Sequence, residues 1–258
     1  MTLTLTLRTQ PPARVLAAAL NPGRLRGRSA SAVAGLELRC GGETAAVGDL
    51  FEVSGAGAEE ERLVLAGALD RFDGIGADMS SGELVVRGDV GAWAGAEMTG
   101  GRLRIFGNAG ARLGAAYPGA RVGMSGGEIV VSGDTGEEAG AGMRRGLVAV
   151  GGRTGRGAGL RMLAGTVISL GGIGAEAGLG NKRGSLVSGR AFEPLPSYAF
   201  ATRFRPPALG LQLRRVRELG LDVDDALLRG TWARWSGDRT ELTRGEILIF
   251  DDDEGSRE

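Results

Sequence analysis

Asp89, Asn108 and Asp134 are the residues whose spacing most suggests chemistry. Each stands directly after a glycine and ten positions beyond a methionine: Met79, Met98 and Met124. If equivalent positions stack, the three form a column of two carboxylates and an amide. Such a column suits a metal ion or acid–base work. It equally suits a turn ladder, in which Asx side chains cap their own backbone and an Asn between two Asp separates like charges. A second group is cationic: Arg144, Arg145, Arg153, Arg156, Arg161, Lys182, Arg183 and Arg190. Arg144-Arg145 and Lys182-Arg183 occupy equivalent positions two repeats apart, which predicts a separation of about 10 Å on one face. That face suits a polyanionic ligand or an acidic partner surface. With Glu137, Glu138 and Glu176 nearby, it also suits a solvated face of mixed charge.

Composition narrows the chemistry further. The 258 residues include no histidine, one cysteine (Cys40) and one lysine (Lys182). The commonest acid–base residue, the Ser-His and Cys-His nucleophile pairs and nearly all zinc sites are thereby removed. An intrachain disulfide is impossible. Catalysis would have to rest on Asp, Glu, Arg, Tyr, Ser or Lys182. Formal net charge is zero, so nothing global points to nucleic acid or a charged membrane surface. No apolar run is long enough to span a bilayer. The opening "MTLTLTLRTQPP" lacks the basic start of a signal peptide and alternates Leu with Thr, which predicts a half-buried strand and a cytoplasmic protein. Short matches to G-x-G-x-x-G are followed by no strand–loop–helix, which argues against a dinucleotide site.

Glycine is the outlier at 48 residues, and its placement reveals what must position these side chains. Met79, Met98, Met124, Met143 and Met162 are separated by 19, 26, 19 and 19 residues. The long interval holds a seven-residue insertion around "YPGARVG", and one further step of 19 reaches Asn181. Three places after each anchor stand Gly82, Gly101, Gly127, Gly146, Gly165 and Gly184. A fixed period near twenty points to a solenoid. Stretches free of glycine are too short for helices, and "ELVV", "RLRIF", "EIVVS" and "TVISL" are β-rich. The expected fold is an all-β core: a right-handed parallel β-helix of about six 19-residue coils, roughly 29 Å tall at ~4.8 Å per strand. Its predicted lining on one limb is Leu84, Leu103, Ile129, Val148, Val167 and Leu186, followed by Val86, Ile105, Val131, Val150, Ser169 and Ser188. On the other limb it is Ile75, Ala94, Ala139, Ala158 and Ala177, with Ala77, Ala96, Ala141, Leu160 and Leu179. The methionines fill the corner between the limbs.

Three segments follow. Residues 1–60 are expected to cap the first coil, 61–190 to form the β-helix, and 191–258 to make an aromatic-rich capping or docking extension. In the last segment, "ALGLQLRRVRELG" places Leu209, Leu213, Val216 and Leu219 on one helical face with Gly220 as a stop, and "RGEILIF" reads as a final strand. Caps are required because an open solenoid end exposes strand edges and apolar interior.

The unit G-x3-G-x2-M-x2-G-x5-G over residues 72–190 resembles the Gly-rich domain shared by the glutamate synthase large subunit and the C subunit of formylmethanofuran dehydrogenase. "VGDLFEVSGAG", the chain length and the aromatic tail resemble the dehydrogenase's C subunit more closely. The resemblance implies a non-catalytic scaffold, with partners A (hydrolase), B and D (formyltransferase). It implies a formyltransferase/hydrolase complex that converts formyl-tetrahydromethanopterin to formate through a methanofuran-type carrier. The preference for Arg over Lys, with abundant Ala and Gly, favours that bacterial assembly over the tungsten or molybdenum enzyme. No catalytic residue, cofactor or metal ligand is expected in this chain, and tetrahydromethanopterin and the carrier act in the complex. Contacts to the carrier's polyglutamate tail, or to a partner, are expected at Arg144, Arg145, Lys182 and Arg183. An autonomous enzyme acting through the Asp89/Asn108/Asp134 ladder, and a glutamate-synthase-like accessory domain, are the competing readings.

Overall fold

The computed structural model describes residues 2–55 and 61–251. The expected boundary at residue 60 and the end of the C-terminal extension therefore lie outside the described residues. The core is all-β, with helices confined to the two flanking regions. Alternating side chains in each short run produce strands with one inward row. Arg62–Ala66, Glu83–Arg87, Arg102–Ile105, Glu128–Val131, Leu147–Val150, Thr166–Ser169 and Ser185–Ser188 stack in chain order, each parallel to the next. Their register follows the sequence repeat: Leu84, Leu103, Ile129, Val148, Val167 and Leu186 are successive partners, and all are buried. In the second row, Ser169 and Ser188 replace aliphatic residues without loss of satisfaction. Ser169 Oγ lies within hydrogen-bonding distance of the carbonyls of Gly152 and Gly172, and Ser188 Oγ donates to that of Arg190.

The five anchor methionines are fully buried, and they explain the glycine three places on. A Cβ on Gly101 would stand 2.7 Å from Met79 Cε, and one on Gly146 would stand 2.7 Å from Met124 Cε. Each methionine thus occupies the space that a side chain in the next repeat would need. Asn181, buried in the sixth anchor position, instead bonds Gly184 twice: its Nδ2 donates to the carbonyl and its Oδ1 accepts from the amide, at 2.9 and 2.7 Å.

The predicted second limb is only partly inside. Ile75, Ala94, Ala139, Ala158 and Ala177 are buried, as are Ala77 and Ala96. Ala141 and Leu160 are half-buried, and Leu179 is 43% exposed. The row two places before the anchor sits at a corner rather than on a strand, so period-two reasoning does not reach it. The following residue turns the chain with positive φ at Asp78, Glu97, Gly142, Arg161 and Gly180.

Both ends are closed by flanking strands. Leu3–Leu7, with Leu3 and Leu5 buried as the alternation predicts, lies parallel to Arg62–Ala66 and antiparallel to Phe51–Ser54. Gly245–Asp251 lies parallel to Ser185–Ser188, followed by Thr231–Gly237 and Ala199–Phe204, both antiparallel. The helix Pro207–Glu218 does more than cover an end. Its buried Leu209, Leu213 and Val216, with Leu219, pack on Val130, Ala149, Ile168, Val187 and Leu248. Those residues point away from the first core, so the sheet carries a second apolar layer on its outer face. Gly220, with φ of 99°, stops the helix as expected.

Candidate functional site

The ladder residues are hydrogen-bonded along the stack. Asp89 Oδ1 accepts from the Asn108 backbone amide at 2.6 Å and from Asn108 Nδ2 at 3.1 Å. Asn108 Oδ1 accepts from the Asp134 amide at 2.9 Å, and Asp134 Oδ1 from the Arg153 amide at 2.7 Å. Each side chain therefore caps the backbone of the following repeat rather than its own, and the geometry is that of a turn ladder. Among the described residues no group of three His, Cys, Asp or Glu is arranged to hold a metal ion.

The basic residues do not form one surface. Arg156 pairs with Glu176 at 2.5 Å and Arg112 with Glu138 at 3.0 Å, which accounts for part of the expected mixed-charge face. Arg190 stands beside Leu170, Asp224 and Phe250, toward the C-terminal helices. The four predicted contacts do share one column. The Arg144, Leu163 and Lys182 amides donate to the carbonyls of Met124, Met143 and Met162 at 2.8, 2.7 and 2.8 Å, so Leu163 stands between the two cations. Lys182 pairs with Glu241 at 3.7 Å. Arg144, Arg145 and Arg183 are exposed and have no ion-pair partner among the described residues.

Sequence reasoning missed a groove of about 470 Å³ beside this column. Its wall holds Leu160, Leu163 and Leu179, and its rim Arg121, Arg161 and Lys182, with Thr240 and Glu241 opposite. Arg121 comes from the seven-residue insertion. The signal available in the sequence was the change from Ala77 and Ala96 to Leu160 and Leu179 at one repeat position.

The loop that carries Glu241 is fixed by Asp238. Burial would raise this carboxyl's pKa, but the Thr240 and Gly180 amides outweigh it and hold it below its ordinary value. Tyr198, whose hydroxyl donates to the Gly178 carbonyl at 2.9 Å, is pushed up to about 12, chiefly by burial. The aromatic tail is divided between packing and surface: Trp232 is buried against Phe250, with ring centroids 5.3 Å apart, while Phe200 is 47% exposed and meets Trp235 edge-on.

Together the fold and its ladders define a class: a stack of glycine-rich β repeats closed at both ends by its own flanks. No family model matches the chain. Over 89 residues it is 33% identical to the C subunit of tungsten-containing formylmethanofuran dehydrogenase 2 from Methanothermobacter wolfeii, and 32% identical to that from Methanothermobacter thermautotrophicus. Each match covers 33% of this chain and 33% of the relative, so it spans about a third of those proteins' length. The likeness to a chain of the formyltransferase/hydrolase complex (FhcABCD) from Methylorubrum extorquens, solved in complex with methylofuran, extends much further. It has a TM-score of 0.81 and 32% identity, and it covers 95% of this chain and 98% of that one. The chain belongs to the family of formylmethanofuran dehydrogenase C subunits. Among its described residues no helix is long and apolar enough to cross a membrane.

Proposed function

We propose that this chain is the non-catalytic scaffold subunit of a formyltransferase/hydrolase complex, assembled with hydrolase (A), B and formyltransferase (D) subunits. That complex would convert formyl-tetrahydromethanopterin to formate through a methanofuran-type carrier. The observation that carries this reading is the near end-to-end likeness to a chain of the FhcABCD complex. The ladder adds to it: Asp89 and Asp134, the best candidate acids, are each engaged by a backbone amide. In this reading the repeats over 61–190 wind as a right-handed parallel β-helix, capped by residues 1–60 and 191–258. The parallel pairing at a 19-residue register supports that winding.

The exposed Arg144, Arg145 and Arg183, stacked with Lys182, suit the polyglutamate tail of the carrier. Purification of the native complex tests the main reading. Three further chains and formate release are expected from the complex, with no activity in the isolated chain. Activity in the isolated chain, lost on Asp89→Asn, would instead establish an autonomous enzyme. The matches to tungsten-containing relatives support a second reading, a redox assembly, which would retain tungsten or molybdenum stoichiometrically. Charge reversal at the four cations should weaken carrier binding and leave assembly intact. Unchanged carrier affinity would remove the tail contact.

A further inference from the structure

One corner of the stack is covered in its first repeats and only partly covered in its last. At the covered end, Ala77 and Ala96 are fully buried. The N-terminal segment lies against Ala77: Asn21 Nδ2 donates to the Ala77 carbonyl at 2.9 Å, and Pro22 and Leu25 of the short helix Pro22–Leu25 are buried. The adjoining position is acidic, and each acid is matched. Asp78 pairs with Arg24 of the covering segment at 3.3 Å, and Glu97 accepts from the Tyr117 amide of the insertion at 3.0 Å.

At the other end the same two positions change together. The alanines become Leu160 and Leu179, and the acid becomes Arg161, with the same left-handed backbone: φ is 56° at Asp78, 54° at Glu97 and 52° at Arg161. Backbone bonds confirm the equivalence. The Asp78 amide donates to the Ala96 carbonyl at 2.9 Å, and the Arg161 amide donates to the Leu179 carbonyl at 2.7 Å. The loop that carries Thr240 and Glu241 faces this corner but leaves Leu160 half-buried and Leu179 43% exposed. Two larger apolar side chains face the groove, and Arg161 and Arg121 have no ion-pair partner among the described residues.

The geometry points to a docking seat for an acidic, amphipathic segment of a sister subunit. That segment would do for Leu160 and Leu179 what residues 20–25 do for Ala77, with the charges exchanged. It would place apolar side chains on the two leucines, which are about 4.8 Å apart along the stack, and a carboxylate on Arg161 with another near Arg121. Arg161 and Arg121 select the sign of the partner, since Lys182 is paired with Glu241, and the leucines require a protein segment rather than a bare polyanion. This inference rests on the reading of the chain as a subunit of a larger complex.

The test uses the full chain titrated into the hydrolase, B and formyltransferase subunits of the same organism, with complex formation read by size-exclusion chromatography and a Kd. Leu160→Ser/Leu179→Ser and Arg161→Glu should each weaken association about tenfold, as loss of a central anchor does, while the melting temperature of the isolated chain is unchanged. Should Leu160→Ser disturb folding, the more exposed Leu179→Ser carries the test alone. Wild-type affinity in the leucine variants overturns the seat. In that case, weakening by Arg161→Glu alone would mark the groove as a polyanion contact. A wild-type chain that binds no sister subunit overturns the complex reading and the seat with it.

Discussion

At the N-terminal end, Leu3–Leu7 runs parallel to the first repeat strand and Phe51–Ser54 reverses beside it. At the C-terminal end, Gly245–Asp251 runs parallel to the last and Thr231–Gly237 reverses beside it. Both ends therefore finish the parallel ladder with a borrowed strand and then switch to antiparallel pairing. The outermost edges are short or irregular, four residues at Phe51–Ser54 and a register shift between Phe200 and Thr202 at the other end. Such edges resist pairing with other chains. The ends differ in the core they enlarge. Leu3, Leu5 and Phe51 join the interior of the stack, whereas Leu209, Leu213 and Val216 build a separate layer on its outside. The N-terminal flank is thus part of the stack's own core, and the C-terminal flank is largely a second core attached to it.

The strongest challenge to this comparison is at the N-terminal joint. A Cβ on Gly88, whose φ is 143°, would stand 2.0 Å from the Gly67 carbonyl oxygen of the preceding repeat. Gly88→Ala should abolish soluble folded protein, read by yield and circular dichroism, because backbone atoms cannot move aside. Next come paired cavity variants. Leu5→Ala and Leu213→Ala should each cost about 2–5 kcal/mol. Leu5→Ala should shift a single melting transition, whereas Leu213→Ala should expose the helix Pro207–Glu218 to protease before the stack melts. Equal protease resistance in both variants would remove the distinction between the two cores.

A smaller effect is expected where the outer layer is clamped electrostatically. Glu128 accepts from Arg215 Nε and Nη2 at 3.0 Å each, and from Arg102 at 3.0 Å. Burial opposes its ionisation, but the two guanidiniums outweigh burial and lower its pKa. A lowered carboxyl pKa adds stability above the unfolded value of roughly 4.3, and that stability is lost as pH falls through the folded value. Glu128→Gln should cost about 1 kcal/mol at pH 7, discounted for the partial exposure of Arg215. It should also flatten the acid limb of a stability–pH curve. The smallest effect lies inside. Thr154 Oγ1 is buried without a hydrogen-bond partner among the described residues, so Thr154→Val should leave stability within about 1 kcal/mol of wild type or raise it. A marked loss would reveal a partner for the hydroxyl.

Much of the stack was legible because it repeats. Met79 and Gly101 must be read together, since one fills the space the other leaves, and a period makes that coupling visible. The C-terminal closure was half legible. "GEILI" at 245–249 reads like "GELVV" at 82–86 and "GEIVV" at 127–131, and Gly245 stands where a Cβ would lie 2.6 Å from Asn181 Nδ2. The final strand thus imitates a seventh repeat across an interruption, residues 191–244, that no fixed period could bridge. The second core is invisible to a search for inward residues on one face only. Val130, Ala149, Ile168 and Val187 are apolar in the outward row, where a second layer covers them. Leu160 and Leu179 mislead for the opposite reason: hydrophobicity does not mean full burial at a corner that the described chain covers only in part.

In-register stacking also makes the molecule a gauge. Each repeat adds one strand spacing, about 4.8 Å, between an N-terminal and a C-terminal closing strand, each of which pairs with its nearest repeat strand alone. Removing residues 128–146, one full period between Gly127 and Leu147, would keep both closing strand pairs and bring them one step closer, while taking Glu128 and Val130 from beneath the helix Pro207–Glu218. The distance between whatever binds the two ends is therefore set by a whole number, the count of repeats, and can change only in steps.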